Sequence, residues 1–166
     1  MSETPETEQK PPEREKRLTD GITAKLGKDA LEADIKPKRI KVKVKPERIT
    51  DAAEYIKNEL GFDHVASVSG VDYPNDKELE IVYHIAAYER EDLRDLVVAL
   101  VARIPREDPR IPTLTEIWPS SEYTERETYE MLGIIFEGHP RLERLILPED
   151  WDDIPPLRKE FRNPGR

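Results

Sequence analysis

The sequence predicts an α+β fold, a single compact domain with a small sheet and flanking helices, followed by an extended, proline-rich C-terminal segment. Strict alternation of Ile or Val with Lys from Arg39 to Lys45 is typical of a half-buried strand. Two β-branched runs, His64 to Asp72 and Leu79 to Tyr88, flank a Pro-Asn-Asp turn and predict a hairpin. After Ile111, repeated prolines favour irregular chain that lies over a surface.

Composition divides the 166 residues into three parts. Residues 1–17 are rich in Glu, Lys and Pro and have no apolar residue after Met1. We expect them to be a disordered tail of acidic and basic residues, because they cannot bury enough surface to offset the entropy of ordering. Residues 18–137 are expected to form the α/β domain, and residues 138–166 an extended C-terminal segment.

Two helices are predicted before the hairpin. The first runs from Leu18 to Leu26 and is closed by Gly27. The second is opened by Pro46 and ends near Gly61, since Pro is tolerated in a first helical turn. Its apolar residues recur at helical spacing: Ile49, Ala52, Ala53, Ile56 and Leu60. The Lys face of the preceding strand has three open interpretations, namely a docking patch, a solvated face and a sheet edge protected against aggregation.

The segment Leu93 to Ile104 permits two interpretations. Apolar residues recur there at the spacing of a helix. The β-branched residues Val97, Val98 and Val101 instead favour a strand, and Pro105 follows closely.

One more helix and one short strand are predicted in the proline-rich half. The helix runs from Ser120 to Leu132 and is closed by Gly133. Ser120 or Ser121 is expected to cap its first turn. Ile134 to Phe136 is the expected strand.

Composition also excludes several classes of function. Cys is absent, so disulfides, iron–sulfur ligation and thiolate chemistry are excluded. A net charge of −9 argues against non-specific nucleic-acid binding. No apolar stretch approaches the length of a membrane span, and the N-terminus lacks the apolar core of a secretory signal. Abundant Glu and Lys with few thermolabile residues favour a thermophile over an ordinary charged bacterial protein.

Few residues are arranged for catalysis. His64, His84 and His139 lack metal-ligand spacing; His84 is expected to pack within a strand and His139 to order a turn. No nucleotide-binding loop or nucleophile elbow occurs. On the predicted helix, Arg126 and Glu130 stand four residues apart and are expected to form an ion pair.

Aromatic residues are concentrated in the C-terminal part: Trp118, Tyr123, Tyr129, Phe136, Trp151 and Phe161. Interleaved with Arg and Pro, they suit anchors of a protein interface. Packing on the domain's own sheet is an equally weighted interpretation.

Several separate blocks resemble the thirty-kilodalton subunit of respiratory complex I, in the order in which that family has them. The lead-in Ile-Pro-Thr-Leu-Thr-Glu-Ile-Trp-Pro begins at Ile111. The later blocks are Glu125-Arg126-Glu127, Glu130 to Gly133, Gly138-His139-Pro140, Pro148-Glu149-Asp150-Trp151 and Pro156-Leu157-Arg158-Lys159. The Leu-Pro-Glu-Asp-Trp form is similar to archaeal members of the membrane-bound hydrogenase type.

The resemblance implies a structural subunit without a cofactor, in the peripheral arm of a membrane-bound electron-transfer complex. It implies a cytoplasmic-side location and two partners, a large subunit similar to nickel–iron hydrogenases and a small iron–sulfur subunit. The C-terminal segment would wrap these neighbours, and the resemblance favours a strand for Leu93 to Ile104. Interface residues are then expected in the blocks: Glu125, Arg126, Glu127, Gly138, His139, Pro140, Trp151, Leu157, Arg158 and Lys159.

A different class remains as the alternative, a standalone small hydrolase that uses Glu127 or His139. The electron donor and acceptor, and the ion that such a complex would translocate, are open at this point.

Overall fold

A computed structural model of the chain describes residues 12–162. Within them, three α-helices cover one face of a mixed five-stranded sheet, and two short strands form a second sheet. The helices are α1 (Glu13–Leu26), α2 (Ile49–Asn58) and α3 (Glu122–Leu132). The strands are β1 (Ala30–Lys36), β2 (Arg39–Val44), β3 (His64–Tyr73), β4 (Glu78–Ala86), β5 (Val97–Pro105), β6 (Arg110–Pro112) and β7 (Ile135–Glu137). No helix among these residues is long and apolar enough to cross a bilayer.

The larger sheet has the strand order β1-β2-β5-β4-β3. Strand β2 pairs antiparallel with β1 and parallel with β5, and the predicted β3–β4 hairpin is present. The alternation in β2 is confirmed, because Ile40, Val42 and Val44 are fully buried. The protected-edge interpretation of its Lys face is wrong, since β2 lies inside the sheet. Lys41 and Lys43 instead stand opposite acidic residues of β1.

The strand interpretation is correct for most of Leu93 to Ile104, where β5 runs from Val97 to Pro105. Leu93 belongs to a 3₁₀ turn just before it. β5 is central in the sheet, and its residues are buried on both faces, as Leu100 and Val101 are. A strand buried on both sides has a continuous apolar run instead of alternation, and such a run also contains helical spacing.

The first helix begins at Glu13, so residues 13–17 are helical and the predicted disordered tail is wrong for them. Tertiary contacts explain the earlier start. Glu15 is buried and accepts a hydrogen bond from the Lys38 backbone N–H at 2.9 Å, and Arg14 pairs with Asp95 at 2.9 Å. The helix ends before Gly27, as predicted. Residues 1–11 lie outside the described residues.

Helix α3 lies over the edge strand β3, on the same face of the sheet as α1 and α2. It approaches β3 at Gly70, where a Cβ atom would collide with the side chain of Leu132. The absence of a side chain at Gly70 therefore permits the close approach. The helix and the chain that follows it carry the predicted functional residues.

The described part of the C-terminal segment, residues 138–162, contains no helix or strand. It lies on the domain's own surface, over the end of α3 and the end of β3. The Leu157 N–H donates to the Met131 carbonyl at 2.9 Å, and Arg158 Nε donates to the Leu132 carbonyl at 2.6 Å. These contacts hold its backbone against α3.

Candidate functional site

Helix α3 organises the region in which the predicted interface residues lie. A 3₁₀ turn, Pro119–Ser121, leads into it, and Gly133 ends it with φ +75°, as predicted. The predicted serine cap is absent. Ser120 Oγ instead accepts the Val65 N–H at 3.0 Å, and Ser121 Oγ donates to the Trp118 carbonyl at 3.0 Å.

Glu125 is fully buried at the start of α3. Its carboxylate accepts hydrogen bonds from Tyr83 Oη at 2.9 Å, Thr113 Oγ1 at 2.5 Å and the Leu114 N–H at 2.9 Å. Ser121 Oγ, which donates to the Trp118 carbonyl, lies 3.3 Å from the same carboxylate. Burial raises the pKa of Glu125 above its ordinary value, although these hydrogen bonds act in the opposite direction.

The predicted interface role of Glu125 is therefore corrected. All three donors come from within the domain and no part of the side chain reaches the surface, so Glu125 cannot contact a partner directly. It joins α3 to strand β4 and to the chain just after β6. Its effect on any interface must act through the position of α3.

Arg126 and Glu130 do not form the expected ion pair. Both are buried, and both hold the chain of residues 143–147, which we call the clasped loop. Arg126 donates to the carbonyls of Glu143 and Arg144 at 2.9 and 3.2 Å. The Glu130 carboxylate accepts three consecutive backbone N–H groups at 2.9–3.2 Å: those of Leu145, Ile146 and Leu147. Helical spacing places the two side chains on one face of α3. The clasped loop packs on that face, and both side chains form hydrogen bonds with its backbone.

Glu127 lies on the exposed side of α3. Within residues 12–162 its side chain has no hydrogen-bond or ion-pair partner, so nothing links it to His139. The hydrolase alternative is therefore not supported by the arrangement of these two residues.

Gly138, His139 and Pro140 form a turn after β7. Gly138 adopts φ +83°, which glycine tolerates without strain. His139 orders the turn as predicted, because its Nδ1 accepts the Arg141 N–H at 3.0 Å and its Nε2 donates to the Glu122 carbonyl at 3.0 Å. The ring thereby ties the turn to the first residue of α3. Pro140 is exposed.

The other two histidines pack within the sheet. The His64 ring stacks against Tyr88 with centroids 4.6 Å apart. His84 is half-buried in β4, as predicted, and burial together with the charge of Arg39 lowers its pKa. Among residues 12–162 no three side chains of the metal-ligating types are grouped to hold an ion.

Leu157, Arg158 and Lys159 lie where the C-terminal segment crosses the end of the domain. The Lys159 N–H donates to the buried carboxylate of Asp72 at 2.8 Å, and Arg106 donates to the same carboxylate at 2.7 and 3.1 Å. Burial alone would raise the pKa of Asp72, but the hydrogen bonds from Arg106 and Lys159 and the nearby positive charges hold it below its ordinary value. Asp72 thereby fastens the segment to β3.

Asp72→Asn is expected to lower the free energy of unfolding by about 1.5–3 kcal/mol at neutral pH, because it removes a charged acceptor of several hydrogen bonds. The folded-state pKa is depressed, so the stabilisation is present above the unfolded pKa and is lost as pH falls through the folded one. The difference between wild type and Asp72→Asn should thus vanish in acid. Urea unfolding from neutral pH down to strong acid measures it; a difference that persists at the lowest pH would contradict this assignment.

Some of the C-terminal aromatic residues pack inside the domain, and others are exposed as interface anchors would be. Trp118 and Phe136 belong to the domain core, with 0% and 1% of their surface exposed. Tyr123 is 63% exposed on α3. Trp151 is partly exposed, with its ring 5.8 Å from that of Phe161 and its Nε1 donating to the Asp153 carbonyl at 2.9 Å.

Four large aliphatic side chains of the C-terminal segment remain exposed, and we call them the C-terminal apolar surface. They are Leu145 (40% exposed), Ile146 (64%), Ile154 (37%) and Leu157 (58%). Of these, only Leu157 is among the residues predicted from the sequence. The other three are Leu145, Ile146 and Ile154. The sequence did contain a signal for them, because they are large apolar residues in a segment that was predicted to be irregular.

The sequence and the fold of the chain match known proteins. The family model described as "Respiratory-chain NADH dehydrogenase, 30 Kd subunit" matches residues 42–166, which is most of the chain. The chain belongs to this family. The resemblance drawn from the C-terminal sequence blocks is thereby confirmed.

Curated members of the same family resemble the chain along most of its length. A subunit of the F(420)H(2) dehydrogenase of Methanosarcina mazei is 42% identical over 145 residues, which are 87% of this chain and 89% of the relative. A subunit of the NADH-quinone oxidoreductase of Roseiflexus sp. strain RS-1 is 40% identical over 124 residues, 73% of this chain and 68% of the relative.

Solved structures share the fold of the chain. One comes from the membrane-bound sulfane sulfur reductase, an archaeal respiratory membrane complex; it has a TM-score of 0.73 and 28% identity, and the match covers 90% of this chain and 86% of that one. Another is a trypsin-resistant fragment of Nqo5, with a TM-score of 0.65 and 29% identity, where the match covers 78% of this chain and 99% of that one. The predicted α+β domain is thus confirmed.

Proposed function

We propose that this chain is a structural subunit, without a cofactor of its own, in the peripheral arm of a membrane-bound electron-transfer complex. It packs there against a large hydrogenase-like subunit and a small iron–sulfur subunit, on the cytoplasmic side of the membrane. Membership of the family supports the proposal, and so do relatives that are named as subunits of an F(420)H(2) dehydrogenase and of an NADH-quinone oxidoreductase.

One structural observation carries the proposal, namely an apolar surface presented on a backbone that is held in place. Leu145 and Ile146 expose their side chains while Glu130 binds their backbone N–H groups. Leu157 exposes its side chain while its N–H is bound to Met131. Because these positions are fixed before binding, little conformational entropy is lost when a partner covers them.

The buried polar side chains of the region serve the same purpose. Arg126 and Glu130 bind backbone groups of the clasped loop, and Asp72 binds the backbone of Lys159. Side chains used in this way fix the course of the chain. They fit a subunit whose role is to present a shaped surface to its neighbours.

The double variant Ile146→Asp/Leu157→Asp is expected to abolish most co-purification with the large and small subunits, because both carboxylates would be buried against an apolar partner. Its melting temperature should stay close to that of wild type, since both side chains are more than half exposed. Affinity purification of the co-expressed proteins, followed by size-exclusion chromatography, measures the loss.

The matched control is Leu31→Asp, at an apolar residue of similar exposure, 52%, on the edge strand β1. It should assemble as wild type does. Equal recovery of partners with the double variant and with Leu31→Asp would overturn the proposed surface.

The hydrogenase-type and quinone-reductase-type versions of the complex differ in their large subunit. The relatives from the F(420)H(2) dehydrogenase and the sulfane sulfur reductase favour an archaeal type of complex. The sequence of the large subunit encoded in the same genome distinguishes the hydrogenase type from the quinone-reductase type. Paired Cys-x-x-Cys motifs that bind nickel are required only for a hydrogenase.

A further inference from the structure

A groove opens between helix α3 and the C-terminal segment. It has a volume of about 620 Å³, within the range of sites that hold a large side chain or a small ligand. Its apolar lining comes from α3 and from residues 147–161 of the C-terminal segment: Met131, Leu147, Pro148, Trp151, Pro156 and Phe161. The rings of Trp151 and Phe161 stand 5.8 Å apart with a tilt of 43° and form its aromatic wall.

The groove is preformed, because backbone hydrogen bonds fix the residues that line it. The Glu130 carboxylate accepts the backbone N–H of Leu147, a lining residue, at 3.2 Å. The Trp151 N–H donates to the Pro148 carbonyl at 3.1 Å, and the Phe161 N–H donates to the Arg158 carbonyl at 3.1 Å. An apolar site whose walls are already ordered binds a partner with little further cost.

The remaining lining of the groove is acidic. Asp150, Asp152 and Asp153 line it with exposed carboxylates. Within residues 12–162 none of the three lies within ion-pair distance of a Lys or Arg side chain. The nearby Arg144 guanidinium binds the carbonyls of Pro148 and Glu149 at 3.3 Å. Asp153 Oδ1 accepts the Ile154 N–H at 2.7 Å. The groove therefore combines apolar walls with negative charge that has no cationic partner among residues 12–162, and such charge repels phosphate groups and anionic lipids.

We infer that the groove docks an extended segment of a partner subunit that carries a large apolar or aromatic side chain next to Lys or Arg. The apolar side chain fills the space between Trp151 and Phe161. The flanking basic residues pair with Asp150, Asp152 and Asp153. Leu147 and Pro156 in its lining are the chain neighbours of Ile146 and Leu157, so a polypeptide that fills the groove can extend toward these exposed side chains. The inference rests on the proposed function, and it names the chemistry of the segment that the partner provides.

Photo-cross-linking in the co-expressed complex tests the position of the segment. The full chain carries p-benzoylphenylalanine in place of Phe161, with the same substitution at Leu31 as the control. Cross-links from position 161 should reach one stretch of the large or the small subunit, in which a large apolar residue stands next to Lys or Arg. Cross-links from 161 to a second copy of this chain, or to no partner in an assembled complex, would overturn the inference.

Charge neutralisation tests the acidic lining. The variant Asp150→Asn/Asp152→Asn/Asp153→Asn should bind the purified pair of large and small subunits about tenfold more weakly at low ionic strength, and the difference should shrink as salt is added. The control Asp20→Asn/Glu32→Gln/Asp34→Asn removes as much charge from the opposite end of the domain. It should bind within about twofold of wild type.

If wild type and the Asp150/Asp152/Asp153 variant bind the pair equally at every salt concentration, the groove inference is wrong and the proposed function stands. If wild type itself does not bind the pair, the proposed function is wrong and the inference fails with it.

Discussion

Replacing Glu125 with alanine is expected to lower the free energy of unfolding by about 3–5 kcal/mol, because the change strands a set of buried hydrogen-bond donors. Among them are the Tyr83 hydroxyl and the Leu114 N–H, and each such group costs about 1–3 kcal/mol. The substitution also leaves a cavity at a fully buried position. Urea unfolding of the full chain at neutral pH measures the effect.

The matched control for this prediction is Glu127→Ala, two residues along the same helix. Glu127 is exposed and its side chain has no partner within the described residues, so its loss should change stability by less than about 0.5 kcal/mol. Glu125→Gln preserves the side-chain volume but directs an amide donor toward other donors. Its loss of stability should therefore lie between those of Glu125→Ala and Glu127→Ala. If Glu125→Ala and Glu127→Ala were equally stable, the central role of Glu125 would be refuted.

Replacing Glu130 with alanine is expected to release the clasped loop while leaving the sheet intact. The loop loses three hydrogen bonds to a charged acceptor, from Leu145, Ile146 and Leu147, and local stability falls by about 2–3 kcal/mol. Amide exchange at these residues should then accelerate about 30- to 150-fold. Hydrogen exchange read by mass spectrometry over residues 143–148 measures this.

The same variant should recover less of the large and small partner subunits, because Leu145 and Ile146 no longer hold their positions before binding. Glu130→Gln keeps one acceptor oxygen and should show an intermediate effect. Glu127→Ala again serves as the control and should exchange as wild type does. Unchanged exchange at Leu145–Leu147 in Glu130→Ala would mean that the loop is held by other contacts.

Much of the fold was predictable where local chemistry decides the structure. The alternation in β2, the turn between β3 and β4, and Gly133 at the end of α3 all act within a few residues, and all three are confirmed. The strand β5 was ambiguous from the residues alone. Its central place in the sheet buries both faces and removes the alternation that marks a strand.

The candidate site was predictable as a region and only partly in its details. The sequence located α3, the turn at His139 and the segment around Trp151. It did not reveal that Glu125 is buried, nor that Ile146 belongs to the exposed apolar surface. The burial of a side chain depends on which distant chain packs over it, and one sequence does not contain that information.

The sequence by itself determined the α+β class, the family resemblance and the order of most elements, because periodicity, turn residues and motif blocks are local properties. Only the tertiary structure decided the partners of the charged side chains. Helical spacing places Arg126 beside Glu130, and an ion pair is the obvious local solution. The clasped loop offers both residues backbone groups at 2.9–3.2 Å, and its packing against α3 replaces that pair.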